Sequence, residues 1–437
     1  MTTPPPDDSP RHANREDALA VVRRLRDAGH AAYFAGGCVR DQLLGLEPKD
    51  YDVATDAPPD RVRQLFANTQ AIGAAFGVIL VRQRKSQIEV ATFRTDGKYL
   101  DGRRPEGVVF TTAEEDAKRR DFTINGLFYD PIEDRVIDYV GGQADLRNKI
   151  LRAIGNPEER FEEDHLRLLR AVRFAARFGL QIEPATAAAI ARHAEHLKRI
   201  SPERIADELR LMLGDPTRTR AWPLLWQFAL VDVIFRHLPT QTADALKPEQ
   251  SVLMRLSPDE PMGLGEPLAA AILCYRWQRS GGRDLREFLG RQPAIEAANA
   301  MRLALRISND EAEEIREIIE SLAPLLAEEP PASLAMKKRF MAKRHHPAAM
   351  EVMEAISEVG VLTDRIGPLY QELSLLYETE FAPAPLVTGD DLFAAGMTPG
   401  PVFKRVLDAV YDAQLEDRVR TKEAALQLAL KLAQMSS

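Results

Sequence analysis

The stretch Gly36-Gly37-Cys38-Val39-Arg40-Asp41 and the nearby Asp50-Tyr51-Asp52 decide the fold of the N-terminal part of this chain. Tyr33 to Ala35 predict a short strand before the glycines, and Val39 to Leu44 predict the start of a helix after them. Backbone amides in a glycine turn at the start of a helix can approach an anion closely. Arg40 can reach a triphosphate through the planar donor fork of its guanidinium. The stretch therefore predicts a phosphate-binding turn in which Gly36, Gly37 and Arg40 contact a nucleotide.

The two aspartates that follow predict a metal site. If Tyr51 to Thr55 form a strand, Asp50 and Asp52 point to the same face, roughly 7 Å apart along it. Carboxylates at this spacing could flank two divalent ions about 4 Å apart, which would activate an attacking hydroxyl and neutralise a leaving pyrophosphate, and Mg²⁺ prefers such oxygen ligands. A lone Gly-Gly turn is more often a chain reversal, and a lone Asp-X-Asp a solvated strand end. Found in order within one strand-turn-helix-strand unit, the two motifs predict metal-assisted phosphoryl chemistry.

The composition is ordinary for a soluble globular protein. The chain has 437 residues, of which 45% are hydrophobic and 28% charged, so two or more domains are expected. We find no run of about 20 apolar residues that would span a membrane, and residues 1–10 lack the apolar core of a signal peptide. Cys38 and Cys274 are too few and too far apart for a disulfide framework or a cysteine zinc site. We therefore expect a cytoplasmic protein with no membrane partner.

The net charge of −8 means that any surface binding a phosphate backbone must be local. Four basic clusters could form such a surface: Arg103-Arg104, Lys118 to Arg120, the arginines from Arg167 to Arg177, and Lys337 to His346. For the cluster Lys337 to His346, the alternative is a solvated helix face whose histidines are surface groups.

Strand-like and helical patterns are distributed unevenly along the chain. Residues 1–14 are predicted to be disordered, short β-like runs alternate with helices from residue 15 to about 150, and the pattern beyond Leu151 is helical almost throughout. The expected architecture is an α+β head, with a mixed sheet and flanking helices, followed by an elongated helical body. The predicted strands are Tyr33 to Ala35, Tyr51 to Ala54, Gly77 to Arg82, Ile88 to Phe93, Gly126 to Tyr129 and Val136 to Asp138.

Two further segments carry polar groups that could contact metal or nucleotide. Glu89, on a strand expected to pair near Asp52, could be a third catalytic carboxylate or an outward-facing residue of a half-buried strand. In the charged segment Glu115 to Asn125, Arg120 is predicted as a fixed cation, Asp121 as its orienting partner and Asn125 as a sugar or backbone contact. The alternative for this segment is a surface ion-pair loop.

The segment Arg160 to Phe174 predicts a polar ribbon along a helix, because four of its charged residues recur three positions apart. They are Asp164, Arg167, Arg170 and Arg173. The opposite side is apolar, so an amphipathic helix with internal ion pairs is the alternative. A carboxylate and a guanidinium one turn apart also offer acceptors and donors that match the edges of C and A. The protein itself could therefore select a nucleotide without a nucleic-acid template; His165, beside the ribbon, is predicted to be incidental.

With these motifs in order, the chain resembles the bacterial class II tRNA nucleotidyltransferase and poly(A) polymerase family, which has a DNA polymerase β-like nucleotidyltransferase head. The resemblance extends from about residue 30 to 213, and a tail segment beginning VTGDDLFAAGM is similar to that of CCA-adding members. The motifs that carry it are GGCVRDQLLG, KDYDVAT, IEVATFR, EEDAKRRDFTIN, GGQADLRNKILRAIG, RFEEDHLRLLRAVRF and SPERIADELRLML. A departure is Ala75-Phe76-Gly77, where many relatives have His before the Gly.

The resemblance implies roles for individual residues. It places Mg²⁺ at Asp50 and Asp52, triphosphate contacts at Gly37 and Arg40, and a ribose or phosphate contact at Arg120. By the same analogy the nucleobase template comprises Glu163, Asp164 and Arg167, with Arg170 and Arg173 as further nucleotide-binding arginines. It also implies a head at 15–150, a nucleotide-selecting neck at 151–215, and an RNA-binding body at 216–385 and tail at 386–437, all helical after the head.

The family adds CCA, only CC, only A, or poly(A), so the product is a separate question. Enzymes that add only CC are thought to shorten the flexible loop that corresponds to Asp96 to Thr112, and this loop looks full length here. The basic arm of many poly(A) polymerases is absent. The expected function is therefore complete CCA addition to tRNA from CTP and ATP, with pyrophosphate released. The alternatives are a poly(A) polymerase, a CC-only or A-only enzyme, and an inactive RNA-binding module that retains the head as a scaffold.

Overall fold

The computed structural model describes residues 14–73, 77–84, 86–96, 107–238, 251–257, 261–397 and 400–435. The predicted disordered N-terminus lies outside the described residues except for Asn14, whose side chain caps the first helix by accepting from the Asp17 amide at 2.8 Å. Ala75 and Phe76 of the predicted departure, and residues 97–106 of the loop used to infer the product, also lie outside them.

A seven-stranded mixed sheet organises the N-terminal part of the chain. The sheet is formed by β1 (Ala32–Ala35), β2 (Val53–Thr55), β3 (Thr69–Gly73), β4 (Val78–Gln83), β5 (Ser86–Thr92), β8 (Leu127–Asp130) and β9 (Arg135–Asp138). Its strand order is β3-β4-β5-β2-β1-β8-β9, and all neighbouring strands are antiparallel except β2 and β5. Two small pairs complete the strands, β6 (Arg94–Asp96) with β7 (Val108–Phe110) and β10 (Ile150–Leu151) with β11 (Gln181–Ile182).

Each of the six predicted strands overlaps an observed one. Strand β5 illustrates the reason, because Ile88 and Val90 are buried while Glu89 between them is exposed, as expected for a strand with one covered face. The prediction that the chain beyond Leu151 is helical almost throughout is confirmed, with β11 as a short interruption. Strands β3, β6, β7, β10 and β11 were not predicted, and four of them are only two or three residues long, too short for an alternating pattern to be visible.

Five helices surround the sheet along the chain: α1 (Arg15–Asp27), α2 (Gly37–Leu43), α3 (Pro59–Leu65), α4 (Ala113–Lys118) and α5 (Gly142–Arg147). Helix α1 carries charges that favour a helix at both of its ends, with two acidic residues in its first turn and two arginines in its last. Under the sheet, Ala35, Ala54, Phe93 and Phe128 are buried together with Ala117 of α4. This cluster fixes the strands that carry the predicted site residues.

The chain divides into two compact units, residues 1–208 with 224–233, and residues 209–223 with 234–437. The first contains the sheet and α6 (Pro157–Glu163), α7 (Arg167–Phe178) and α8 (Pro184–His193), followed by a 3₁₀ segment at Ala194–Arg199. Helix α7 ends at Gly179, which has a φ of 62° and so adopts the left-handed conformation that glycine tolerates. Helices α9 (Pro202–Leu213), α10 (Arg218–Gln227) and α11 (Leu230–Ile234) span the boundaries between the units.

The described residues of the second unit form helices and connecting turns, without a strand. Its remaining helices are α12 (Gly265–Arg279), α13 (Arg291–Leu305), α14 (Asn309–Leu326), α15 (Leu334–Met341), α16 (His346–Glu358), α17 (Thr363–Leu376), α18 (Gly389–Ala394), α19 (Pro401–Leu415) and α20 (Lys422–Met435). The last three share an apolar cluster of their own, which includes Leu392, Val410 and Ala425. Within the part of the chain that the structure describes, none of the helices combines the length and apolar character needed to cross a membrane.

Candidate active site

A cavity of about 570 Å³ in the first unit lies among the residues predicted to contact metal and nucleotide. We call its residues from β2, β5 and the position before β2 the sheet wall, which comprises Asp52, Val53, Ala54, Glu89 and Ala91. We call its residues from α7 and the segment before it the helix wall, which comprises Asp164, Arg167, Arg170, Arg173, Phe174 and Arg177. The remaining lining residues are Ala35, Gly36, Gly37, Arg40, Arg119, Arg120, Asp121 and Asn125.

The predicted glycine turn lies between β1 and α2. Gly36 has a φ of 68°, and a Cβ placed on it would lie 2.8 Å from Nη1 of Arg120. Both the left-handed backbone and the close approach of the guanidinium therefore require glycine at this position. Helix α2 begins at Gly37, two residues before the predicted start, so the first backbone amides of the helix lie beside the cavity.

The acidic residues of the sheet wall are brought together by strand pairing. Val53 and Val90 are register partners in the parallel pair β2 and β5, so the preceding residues, Asp52 and Glu89, lie side by side. Strand β2 begins at Val53 rather than at Tyr51, although the Ala35 amide still donates to the Asp52 carbonyl at 3.0 Å. The predicted strand position of Asp50 and Asp52 is therefore corrected, because both precede the regular strand. Asp50 is exposed and does not line the cavity.

The electrostatic environment of Asp52 suits a cation. Although Asp52 reaches solvent, desolvation by the surrounding protein raises the pKa of its carboxyl group to about 6, and the negative charge of Glu89 adds to the rise. Arg120 opposes these effects and Asp50 reinforces them. A hard divalent cation would relieve this repulsion, and Mg²⁺ is usually held by one or two carboxylates with substrate phosphates rather than by a cage of protein ligands. The neighbouring carboxylates of Asp52 and Glu89 therefore fit such an ion, with Asp50 close enough to add its negative charge.

Arg40 lines the cavity, but its guanidinium already has partners in the protein. Nε and Nη2 donate to Asp41 at 2.9 and 2.7 Å, and Nη1 donates to the Asn125 side chain at 2.6 Å. Its Cζ atom also lies 4.3 Å from the ring centre of Phe178. Each terminal nitrogen keeps one further N–H, so a phosphate contact through the predicted fork would use these remaining hydrogens.

The predicted orienting partner of Arg120 is wrong. Nε and Nη2 of Arg120 donate to Asp116 at 3.2 and 3.0 Å, and Nη1 donates to the Asn125 carbonyl. Asp121 instead accepts from Arg170 at 2.6 and 2.8 Å and from the Asn125 side chain at 3.0 Å. Burial alone would raise the pKa of Asp121, but Arg170 and these hydrogen bonds outweigh it and hold the pKa at about 2.

The helix wall has four charged residues that are paired with side chains of opposite charge: Asp164, Arg167, Arg170 and Arg173. Arg173 donates to Glu208 at 2.7 Å, and Asp164 accepts from Arg204 at 2.9 Å. Arg167 donates to Glu163 at 2.5 Å and to the Arg160 carbonyl at 2.8 Å. Glu163 itself does not line the cavity. Its carboxylate fixes the position of the Arg167 guanidinium.

All but two of the residues predicted as site residues line this one cavity, the exceptions being Asp50 and Glu163. The sequence interpretation missed Phe174, whose ring packs against the guanidinium groups of Arg40, Arg170 and Arg173. It also missed three acidic or basic partners: Asp116, Arg204 and Glu208. Asp116 was detectable, because it precedes Arg120 by one helical turn, whereas the other two are remote in sequence from the side chains that they hold.

Comparison with known proteins identifies the family. Residues 32–152 match the Poly A polymerase head domain, and residues 179–242 match the Probable RNA and SrmB-binding site of polymerase A. The CCA-adding enzyme of Geobacillus stearothermophilus is 33% identical over 414 residues, which cover 93% of this chain and 94% of that protein. The chain belongs to the family of CCA-adding enzymes and bacterial poly(A) polymerases.

Other members of the family agree with this assignment. Poly(A) polymerase I of Escherichia coli O6:H1 is 43% identical over 231 residues, which cover 50% of each chain. The crystal structure of Bacillus stearothermophilus CCA-adding enzyme in complex with CTP superimposes with a TM-score of 0.72 at 28% identity and covers 96% of this chain and 98% of that chain. The predicted family, the α+β fold with a mixed-sheet head and the nucleotidyltransferase activity of this enzyme family are thus confirmed.

Proposed function

We propose that the chain is a CCA-adding tRNA nucleotidyltransferase, which transfers C, C and A in turn from CTP and ATP to the tRNA 3′ end. The observation that carries the proposal is the extent of the similarity. The match to the G. stearothermophilus CCA-adding enzyme spans 93% of this chain, whereas the match to E. coli poly(A) polymerase I spans half of it. The sequence outside the shared half thus favours CCA addition. A tRNA substrate would place the reaction in the cytoplasm.

The sheet wall supplies the ligands for the reaction's metal. Mg²⁺ bound at Asp52, with Asp50 or Glu89, would activate the terminal 3′-hydroxyl for attack on the α-phosphate and neutralise the departing pyrophosphate. The carboxylates of Asp52 and Glu89 also fix where the hydroxyl can approach, because Glu89 lies on β5 and Asp52 directly precedes β2, the strand paired with β5. The first amides of α2 and the guanidiniums of Arg40 and Arg120 would hold the triphosphate.

The helix wall supplies a protein template for the base. Cytosine and adenine both present an amino donor next to a ring-nitrogen acceptor, whereas uracil and guanine present a carbonyl next to an N–H. A carboxylate acceptor at Asp164 and guanidinium donors at Arg167 complement the first pair and mismatch the second. Arg204 and Glu163 hold these two side chains in place before any nucleotide binds. Preorganised polar groups reject a wrong base because they would be left unpaired against it.

The test uses three tRNA substrates, which end before CCA, after the first C and after the second C, each incubated with CTP alone or ATP alone in Mg²⁺. We expect CTP to extend the first two substrates and ATP to extend only the third, by one residue. Addition that stops at CC, or that begins only from CC, would identify one of the partial enzymes instead.

Two further outcomes would reject the proposal. A long ladder with ATP alone on a defined RNA without a tRNA fold would favour a poly(A) polymerase. A shift in tRNA mobility without any incorporation of labelled nucleotide would indicate an RNA-binding module that lacks catalysis. Product length separates the first outcome from CCA addition, and incorporation separates the second.

A further inference from the structure

Three histidines that the proposed reaction does not use lie together in the part of the chain from α6 to the 3₁₀ segment after α8. They are His165, between α6 and α7, His193, at the end of α8, and His196, in the following 3₁₀ segment. One ligand atom from each lies within 4.8 Å of those of the other two. Among the described residues, this is the one group of three or more histidine, cysteine or acidic side chains that meets this spacing. His165 and His193 are buried, and His196 is half-buried.

The hydrogen bonds of the two buried rings determine which nitrogens carry lone pairs. Nδ1 of His165 lies 2.7 Å from the Phe161 carbonyl, which can only accept, so this nitrogen carries the proton. Nε2 of His193 lies 2.6 Å from Oε2 of Glu158, whose pKa is lowered chiefly by its hydrogen bond from Arg192. His193 therefore donates from Nε2. In the neutral rings, Nε2 of His165 and Nδ1 of His193 are left with lone pairs.

These second partners are those that metal-bound histidines have. A ligating imidazole usually donates its other N–H to a backbone carbonyl or a carboxylate, which fixes the tautomer and raises the basicity of the ligating nitrogen. His165 has the carbonyl and His193 has the carboxylate. Arg192 occupies the other oxygen of that carboxylate, so Glu158 remains ionised and oriented.

The third ring completes the arrangement. Nδ1 of His196 lies 3.1 Å from Nδ1 of His193. Two imidazole nitrogens held at 2.0–2.1 Å by one tetrahedral ion would lie roughly 3.3 Å apart, close to this separation. Burial, followed by the charge of Arg199, lowers the pKa of His196, and burial also lowers the pKa of His165. Neutral rings are the forms that bind metal.

We propose that His165, His193 and His196 bind one divalent transition-metal ion of the Zn²⁺ type, with a fourth position open toward the half-exposed His196. Imidazole ligands suit Zn²⁺, Cu²⁺, Fe²⁺ and Ni²⁺, whereas Mg²⁺ prefers oxygen, so this site is chemically distinct from the sheet-wall carboxylates. The ion would join three chain segments: the link between α6 and α7, the end of α8, and the 3₁₀ segment.

The site has a structural consequence for the helix wall. His165 follows Asp164 directly and precedes Arg167 by two positions, and both of these residues line the cavity. An ion on the His165 ring would restrict the backbone that positions the two base-reading side chains. Its effect on the proposed function would be one of positioning, since none of the three histidines lines the cavity.

The test measures Zn²⁺ binding to the full-length chain after removal of bound metal with a chelator, in excess Mg²⁺ and against a chromophoric zinc indicator. We expect one equivalent for the unmodified chain. His196→Gln, at a half-exposed position where the fold is least at risk, should lose that equivalent, and so should His165→Gln. Glu158→Gln should weaken binding by about 10- to 100-fold, the usual cost of losing such a second partner.

Two control variants separate this site from other binding. His237→Gln changes an exposed histidine outside the cluster and should keep the equivalent. Asp52→Ala should also keep it while losing nucleotide incorporation, so failure of the metal proposal and failure of the proposed function give different results. Co²⁺ in place of Zn²⁺ should give the visible bands of a tetrahedral ion, and His196→Gln should abolish them.

Either of two results would overturn the proposal. The first is that the unmodified chain binds no equivalent of Zn²⁺ in excess Mg²⁺. The second is that His196→Gln, with an unfolding temperature equal to that of the metal-free unmodified chain, keeps both the equivalent and the Co²⁺ spectrum. In either case the three rings would be a hydrogen-bonded cluster that packs α6 against α8.

Discussion

The sheet wall and the helix wall of the cavity differ in how their charged side chains are arranged. On the sheet wall, like charges are placed side by side, and desolvation together with Glu89 raises the pKa of Asp52 to about 6. On the helix wall, opposite charges are paired, and Arg170 contributes to holding the pKa of the adjoining Asp121 at about 2. The first arrangement costs stability until a cation arrives, whereas the second contributes stability at once.

This difference corresponds to two tasks. A wall that must bind a divalent ion works best when its carboxylates are left uncompensated by the protein. A wall that must read a base works best when its donors and acceptors are already fixed, so that little reorganisation is needed when the nucleotide binds. Substitutions on the two walls should therefore separate activity from stability.

The largest effect is expected for Asp52→Asn. Loss of the metal-binding charge should reduce nucleotide incorporation by roughly a thousandfold or more, because it removes several kcal/mol of transition-state stabilisation. Because the ionised Asp52 is disfavoured in the folded state, stability is lost as the pH rises from 3.8 to about 6, and the neutral amide avoids this loss. Without divalent ions, we therefore expect the variant to unfold at neutral pH at a temperature no lower than that of the unmodified chain.

Asp60→Asn is the matched control for that variant, since Asp60 is an exposed aspartate in α3, outside the cavity. It should leave incorporation unchanged and lower the unfolding temperature only slightly, because its charge interacts with the start of α3 and with Arg63 at the exposed surface. Near-normal turnover in Asp52→Asn would remove Asp52 from the metal site. A marked fall in its unfolding temperature would contradict the view that repulsion governs the sheet wall.

The second effect, for Asp121→Asn, should appear in stability. Removal of the charge that pairs with Arg170 should lower the free energy of unfolding of the first unit by roughly 2 kcal/mol, toward the lower end for a buried pair because Arg170 is partly exposed. The folded-state pKa of about 2 lies below the ordinary 3.8, so this stabilisation is complete above pH 3.8 and is lost as the pH falls toward 2.

Urea unfolding at about pH 7 and about pH 5 provides the measurement. The difference between the unmodified chain and Asp121→Asn should be the same at both values. If the difference in free energy of unfolding were present at about pH 7 but absent at about pH 5, a group with a higher pKa than Asp121 would be responsible. If the variant were as stable as the unmodified chain at both pH values, the pair of Asp121 and Arg170 would contribute nothing, and the two walls would not differ as described.

The parts of the site that could be predicted from sequence are those built from neighbours along the chain. Gly36 and Gly37 lie at a strand-to-helix turn, and Asp52 directly precedes the next strand, so their types and spacing were sufficient. The partner of Asp121 could not be found in this way, because Arg170 lies 49 positions away and a nearer arginine, Arg120, was available. Only the packing of α7 against the head decides between them.

The same limit explains the histidines. His193 and His196 are three apart, which is a visible signal, but His165 joins them only through the tertiary fold. The longest strands, β4 and β5, were predicted because their burial alternates along six or seven residues, whereas the five-residue β3 was missed. It was not predictable at β10 and β11, where two residues pair with two others and carry no periodicity.

The third prediction concerns base selection on the helix wall. Arg167→Ala should reduce the preference for CTP and ATP over UTP and GTP by about tenfold, since one good set of directional hydrogen bonds contributes 1–3 kcal/mol to discrimination. The measurement is kcat/KM for each of the four nucleotides on two substrates: tRNA that ends before CCA, and tRNA that ends after the second C. Arg177→Ala is the control, because Arg177 also lines the cavity but lies three helical turns farther along. It should leave the preference intact, and unchanged selectivity in Arg167→Ala would exclude Arg167 from the template.

The smallest effect is expected for Glu163→Gln. This variant distinguishes a residue that contacts the base directly from one that only positions Arg167. Because Glu163 pairs with Arg167 at 2.5 Å and does not line the cavity, its substitution should weaken selection only a few-fold, through looser positioning of Arg167. The double variant Glu163→Gln with Arg167→Ala should then select no worse than Arg167→Ala alone, since a positioning residue has nothing left to position. Additive losses would instead place the Glu163 carboxylate in direct contact with the base, and the helix wall would have to rearrange on nucleotide binding to bring it there.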